Sequence, residues 1–264
     1  MTDTPAKSEC TAGASNALPA VTSADLQRNN PNWFKDRLFR LTSSQFYDII
    51  HGEKPKKRRG GRTIPMHLDP NRLHWKGNKD PYVQEMIDWG ITHEENALKT
   101  VGQALGKELL PAGFCVSSDY SFLGASPDAF VPGRKTGKPI AAVEVKCPWS
   151  VRYSGNPPKY VIISARDKKT YKLSTSHKYY YQIQGQLFVC GLQQAVFAAW
   201  TPLRTYVMRV DRDDSFIQTM VKSLVCYYVR IYVPYLIKNN QLKDIPESDR
   251  KALEKARREL DAKK

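Results

Sequence analysis

Cysteine is scarce in this chain and badly placed for a covalent or metal scaffold: five in 264 residues, at positions 10, 115, 147, 190 and 226. There is no Cys-X-X-Cys pair and the count is odd, which points away from a disulfide framework, a structural zinc site and an iron–sulfur cluster. The five histidines, at 51, 67, 74, 93 and 177, also lack ligand spacing. No apolar run approaches the roughly 20 residues of a spanning helix, and residues 1–30 have no signal-peptide core. A soluble, intracellular protein without a membrane is therefore expected. Acidic residues are in short supply too: 26 Asp and Glu face 41 Lys and Arg, a formal charge of +15 and a pI near 9.6. That balance favours a polyanionic partner, nucleic acid first and an acidic membrane surface second.

What is present suffices for one sizeable core, because 41% of the residues are hydrophobic. Residues 1–30, rich in Thr, Ala, Ser and Asn, are expected to be a disordered leader. Residues 31–239 form the folded domain, and 240–264 a charged C-terminal tail helix. Within that tail, 247-ESDRKALEKARRELDAKK-264 has helical propensity but few apolar positions, so a solvated or fraying helix is expected.

Order begins near Trp33, and Thr42 or Ser43 can cap a short helix carrying Phe46, Ile49 and Ile50. The run 54-KPKKRRGGR-62 has six basic residues in nine; a nuclear-import signal, a phosphate-contacting loop and a merely solvated loop all fit it. From Asp80 to about Gly106, Ile87, Ile91, Glu94, Leu98, Val101 and Leu105 recur at helical spacing, so Glu94 faces inward while Glu95 lies on the polar side. Such a glutamate is either a boundary residue or a functional one that requires a cation or a proton. Segments 114–131 and 140–147 read as two strands of one sheet joined by the turn 132–139.

Segment 149–178 reads as irregular and basic. Between Lys146 and Val210 nine Lys or Arg accompany a single acid, Asp167, with Tyr153, Tyr160 and Tyr171 interleaved. That is the composition of a groove tracking a phosphate backbone, or of a tyrosine-bearing surface loop. A helix over 177–191 places Gln182 and Gln186 four apart on one face. Strands at 195–200 and 205–210 precede a long helix from about Asp213, which Pro234 bends or ends.

Chemistry concentrates on 143-VEVKCP-148, which follows 124-GASPDAF-130. Alternation puts Val143, Val145 and Cys147 on one strand face and Glu144 with Lys146 on the other. Alone, that pair is an ordinary solvated strand face. Joined by Asp128 from the preceding turn and Glu94 from the early helix, it becomes a site for a hard divalent cation. Magnesium takes oxygen ligands and commonly only one or two carboxylates, the rest being waters or phosphate oxygens.

The order Asp, gap, Glu-X-Lys resembles the signature of the PD-(D/E)XK nucleases, and 126-SPDAF-130 with 144-EVKCP-148 resembles their YqaJ-type viral recombinase branch, the family of the phage lambda exonuclease. Further stretches match in family order: 33-WFKDRLFRLTSS-44, 89-WGITHEENA-97 and 181-YQIQGQL-187. The resemblance implies an α/β fold with a restriction-endonuclease-like core, a mixed central β-sheet flanked by α-helices. It implies that Asp128, Glu144 and the Val145 carbonyl bind Mg2+, with Mn2+ as a substitute, and that Glu94 completes the acidic cluster. Lys146 would serve the attacking water and Gln182 would buttress the cluster, while Arg37 and Ser44 match positions that receive a DNA 5′-phosphate.

The activity so implied is a 5′ to 3′ exonuclease on linear double-stranded DNA ends, acting in recombination. A single-strand annealing protein and a homo-oligomer, trimeric in relatives, are the implied partners. Two other readings stand beside it: a catalytically silent DNA-binding module derived from such a nuclease, and an endonuclease on branched DNA or RNA. A nuclear location would follow if 54–62 is an import signal.

Overall fold

The computed structural model describes residues 31–52, 68–73 and 80–262. The expected leader and the basic run 54–62 lie outside the described residues. In chain order the elements are α1 (Pro31–Arg37), β1 (Leu41–Thr42), α2 (Phe46–His51), α3 (Pro81–Leu105), β2 (Leu110–Pro111), β3 (Cys115–Val116), β4 (Leu123–Ala125), β5 (Ala129–Pro132) and β6 (Pro139–Lys146). They continue with β7 (Val161–Ile163), β8 (Tyr171–Leu173), α4 (Lys178–Val189), β9 (Gln194–Trp200), β10 (Thr205–Asp211), α5 (Asp214–Tyr227), α6 (Val233–Lys238) and α7 (Glu247–Asp261).

The central sheet has five strands in the order β10-β9-β6-β5-β2; β6 and β9 run parallel and every other pair is antiparallel. Both faces of β6 are covered. Val143 and Val145 pack with Ala97 and Val101 of α3, whereas Ala142 belongs to the larger core with Phe197, Ile183 and Leu187. This is the mixed α/β sandwich of sheet and helices that the family resemblance implies.

Helix α3 follows its sequence signals closely. The Asp80 side chain accepts from the Tyr82 N–H at 3.0 Å, Pro81 opens the first turn where no N–H is needed, and Gly106 ends it at φ +61°. Glu94 is half-buried and Glu95 exposed, as expected, but Ile91 of the same stripe is exposed: the fully buried positions of α3 lie in its C-terminal half, at Ala97, Val101 and Gly102.

The stretch 114–131 does not form one strand. It divides into β3 and β4, which join β1 in a separate three-stranded sheet, and β5, which joins the central sheet. Pro127 explains the division: without an N–H it cannot continue a ladder, so the chain changes sheets at the Ser-Pro-Asp turn. In 149–178 the expected irregular segment contains the hairpin β7–β8. Tyr160 is buried against Phe197 and Tyr179, and Tyr171 accepts a hydrogen bond from Arg204, so of the three interleaved tyrosines only Tyr153 stands well exposed.

Asp213 caps α5 by accepting from the Phe216 N–H at 2.9 Å. The helix runs through a π turn (Tyr228–Tyr232) into α6. Pro234 sits in the first turn of α6, so the proline neither ends the helix nor strands a donor. The whole run Asp214–Lys238 is long and apolar enough to cross a membrane by length and composition. Its apolar face is spent on the fold, with Ile217, Leu224, Tyr228, Tyr232 and Leu236 buried.

The tail differs most from expectation. Helix α7 is docked, not solvated: Asp249 is fully buried and ion-paired with Arg40 at 3.2 Å, Ala252, Leu253 and Ala256 join the core, and Glu259 accepts from the Tyr120 hydroxyl. Three small or apolar residues spaced along one face suffice because Arg40, 209 residues from Asp249 in sequence, supplies the partner charge that sequence order cannot show.

Candidate active site

The site lies at the C-terminal end of β6, where α4 covers one face. Asp128 sits one residue before β5 and is fixed by two main-chain groups of the neighbouring strand. Its N–H donates to the Val143 carbonyl at 2.9 Å, and its Oδ2 accepts from the Val145 N–H at 2.8 Å. The turn that presents it is tied down from α1, whose Trp33 Nε1 donates to Ser126 Oγ at 3.0 Å.

Glu144 is almost fully buried, with 1% of its surface exposed. Its Oε1 accepts from Lys146 Nζ and, at 2.6 Å, from Gln182 Nε2; its Oε2 accepts from Gln186 Nε2 at 2.6 Å. A buried carboxylate is tolerable only when its lone pairs are met in this way. The i, i+4 spacing of the two glutamines lets one helix face meet both carboxylate oxygens. Gly185, between the two glutamines, lets α4 pack closely on α2 and the turn before it: a Cβ there would stand 2.7 Å from the Phe46 ring and 3.1 Å from Ser43 Cβ.

The electrostatics are those of a cluster with surplus negative charge. Burial raises the Asp128 pKa well above the carboxylate range, and the charges of Glu144 and Glu94 raise it further, against the opposing pull of Lys146 and the Val145 N–H. For Lys146 burial pulls the pKa down, but Glu144 first and Asp128 next outweigh it, so the ammonium is held protonated above its ordinary value. Glu94 reaches the site from α3, on the other side of the sheet from α4, and its charge bears on Asp128 and on Cys147. Burial foremost, then Glu94 and Asp128, pushes the Cys147 thiol up to about 12, so it is no thiolate nucleophile.

The donor set fits a magnesium ion. Two carboxylates on adjoining strands and a strand-end carbonyl offer oxygen only, and the buried Asp128–Glu144 repulsion is what a divalent cation would relieve. Among the described residues no group of three or more His, Cys, Asp or Glu could hold a metal alone.

A second feature adjoins the first through Trp33. The Arg37 guanidinium lies 4.1 Å above the Trp33 ring and 5.8 Å from the Phe114 ring, and its Nη2 donates to Thr42 Oγ1 at 3.4 Å. Thr42 Oγ1 and Ser44 Oγ are 3.2 Å apart, so Arg37 and Ser44 share one hydroxyl between them. Thr42 opens the turn Ser43–Gln45, and Gln45 Oε1 accepts from both its N–H and its hydroxyl. Among the described residues no carboxylate pairs with Arg37, and burial lowers its pKa below the ordinary guanidinium value, to about 10. A cavity of about 430 Å³ opens beside it, lined by Trp33, Arg37, Thr42 and Gln45 among others.

Asp128, Glu144, Lys146 and Gln182 are thus brought together, Glu94 bears on Asp128 by charge, and Arg37 lines a neighbouring pocket while Ser44 joins it only through the Thr42 hydroxyl. Two residues escaped the sequence reading. Gln186 was visible as the helical neighbour of Gln182, but nothing in sequence shows that Glu144 has a second oxygen to satisfy. Trp33 opened one of the stretches that resemble the family, but its bond to Ser126, 93 residues away, left no trace in the sequence.

Residues 32–193 match the model of the YqaJ-like viral recombinase domain. Among solved structures the chain resembles the alkaline exonuclease LHK-Exo from Laribacter hongkongensis, at TM-score 0.55 and 17% identity over 82% of this chain and 100% of that one. The same enzyme in complex with dAMP gives TM-score 0.53 and 18% identity over 81% and 100% of the two chains. A phage-related exonuclease from Haemophilus somnus 129PT gives TM-score 0.46 and 17% identity over 74% and 96%. A search of curated protein sequences found no match. The LHK-Exo likeness shows a common fold, and the domain match spans more than half of the chain: this protein belongs to the YqaJ-like viral recombinase domain family.

Proposed function

We propose that the protein is a metal-dependent DNA nuclease, a 5′ to 3′ exonuclease on linear double-stranded ends that supplies single strands for recombination. The observation that carries this reading is the buried Glu144, satisfied on both oxygens by Lys146, Gln182 and Gln186 and set beside Asp128 at the end of one strand. A protein needing only positive charge to bind DNA would have no use for an acidic cluster buried in a cationic surface.

Asp128 and Glu144, with the Val145 carbonyl, would hold the magnesium, which when bound supplies Lewis-acid activation of the scissile phosphate and of water. Manganese is the natural substitute. Gln182 and Gln186 keep the Glu144 carboxylate from turning, so the charge it presents is fixed before substrate arrives. Lys146, held as an ammonium by its carboxylate neighbours, orients the attacking water and offsets charge growing on the phosphate oxygens. Glu94 adds to the negative charge from the α3 side. Arg37, with no carboxylate partner among the described residues, and Ser44 would take the terminal 5′-phosphate, an anion suited to a guanidinium and a helix-start hydroxyl. The relative named as an alkaline exonuclease supports end-directed cutting. A homotrimer enclosing DNA and a single-strand annealing protein complete the proposal.

The test is nucleotide release from a linear 5′-phosphorylated duplex labelled at either end, with magnesium, beside a covalently closed circle. Release from the 5′ end with the circle intact is expected. Cutting of the circle would make the protein an endonuclease, and binding without cleavage in magnesium or manganese would make it a silent DNA-binding module.

A further inference from the structure

A set of aromatic rings next to the candidate site takes no part in the chemistry above. Trp149 follows Lys146 by three residues, so their Cα atoms are at most about 11 Å apart. Trp89 and His93 come from the turns of α3 that lead to Glu94. The Trp89 ring is edge-on to Trp149 at 5.8 Å and to Tyr153 at 6.0 Å, and Tyr82 is edge-on to Trp149 at 6.4 Å. Arg152 lies between two of these rings, 3.4 Å from Trp149 and 4.8 Å from Tyr153, and its Nη1 donates to the Trp149 carbonyl at 2.7 Å.

These rings differ from those of the core. Phe114, Phe122, Phe197 and Tyr228 are sealed at 0% exposure, whereas Tyr153 is 71% and Tyr82 57% exposed, and Trp89 and Trp149 are only partly covered. Leaving large aromatic faces in water forgoes their burial, which is worth about 1.5–3 kcal/mol for a side chain of Phe size. Among the described residues no carboxylate pairs with Arg152, and the stretch between Lys146 and Val210 holds nine cations and one acid. An exposed π surface around an arginine, in a cationic setting, is the chemistry of a platform on which bases stack while phosphates are held nearby. Base pairs inside a duplex hide their faces from such a platform.

We infer that Tyr153, Trp149 and Trp89, with Arg152, form a subsite for unpaired nucleotides of single-stranded DNA beside the scissile position. The inference rests on the proposed DNA substrate but not on cleavage. A cationic or proline-rich peptide is a poorer occupant, because the lysines and arginines of this segment would repel or ignore it.

The experiment is a titration of the full chain with oligothymidylate in metal-free buffer, read by tryptophan fluorescence, alongside a blunt duplex of equal phosphate count. Stacking predicts quenching of wild-type fluorescence. Tyr153→Ala is expected to weaken single-strand binding about tenfold, the order found for loss of one base–aromatic stack, with less than a twofold effect on the blunt duplex. Tyr153→Phe, which keeps the ring, should bind as wild type. Wild-type affinity of Tyr153→Ala for oligothymidylate, an equal loss on both ligands, or no quenching would each overturn the subsite. Because Tyr153 is on the surface, its variants separate the subsite from folding. Failure of nuclease activity with quenching intact would sink only the proposed catalysis.

Discussion

Gln186 Nε2 donates to Glu144 Oε2 at 2.6 Å, joining the middle of α4 to the centre of the sheet across 42 residues of sequence. Neither group is accessible to water, so the bond has no ready replacement. Gln186→Leu would leave one oxygen of a buried carboxylate unmet, and a hydrogen bond to a charged group contributes roughly 1.5–3 kcal/mol. A loss of about 2 kcal/mol in urea-unfolding stability is expected, together with reduced cleavage. Stability equal to wild type would show that Glu144 does not depend on the second glutamine.

Asp128→Asn and Lys146→Ala test the proposed chemistry. Both should reduce nucleotide release by at least about a thousandfold, as removal of a group that stabilises developing charge does, while duplex binding in calcium stays within a few fold. Cleavage at wild-type rate by either variant would remove that residue from the site.

The Arg37 guanidinium is half-buried at a cavity wall without a carboxylate partner among the described residues, so an anion should be welcome there. Wild type should prefer 5′-phosphorylated over 5′-hydroxyl duplex ends, and Arg37→Ala should erase most of that preference. A 5′-nucleotide at about 100 times its Kd should raise wild-type stability by about 2.7 kcal/mol, with no such gain in the variant. Equal loss of activity on both ends would assign Arg37 to general binding or to folding.

Close approach at Gly185 is a further measurable point. Gly185→Ala would set a methyl carbon 2.7 Å from the Phe46 ring, which must then move along with α2 or α4. Overpacking of this kind costs typically about 1–3 kcal/mol. The expected result is a lower denaturant midpoint, along with weaker cleavage because Gln182 and Gln186 are displaced with the helix.

The docked tail gives the largest stability effect. In Asp249→Ala the Arg40 side chain, 8% exposed, would lose its buried counter-charge. Removing one partner of a buried pair costs about 3–5 kcal/mol. An unchanged unfolding midpoint would mean that α7 is the solvated helix its composition suggests.

The sequence by itself determined whatever depends on near neighbours along the chain. Asp80, Pro81 and Gly106 bound α3 by local hydrogen bonding and by the φ preference of glycine, and the 3.6-residue period turned Glu94 inward. Alternation along 143-VEVKC-147 separated the Glu144 and Lys146 face from the valine face, and the order of short motifs along the chain identified the family. Only the tertiary structure decided which distant groups meet those faces. Gln182 and Gln186 satisfy both oxygens of Glu144, Trp33 fastens the turn before Asp128, and Arg40 draws a weakly apolar helix onto the core through Asp249. The reason is the cost of leaving a charge or polar group buried and unpaired: it forces each to find a partner, but through space, where sequence separation carries no information.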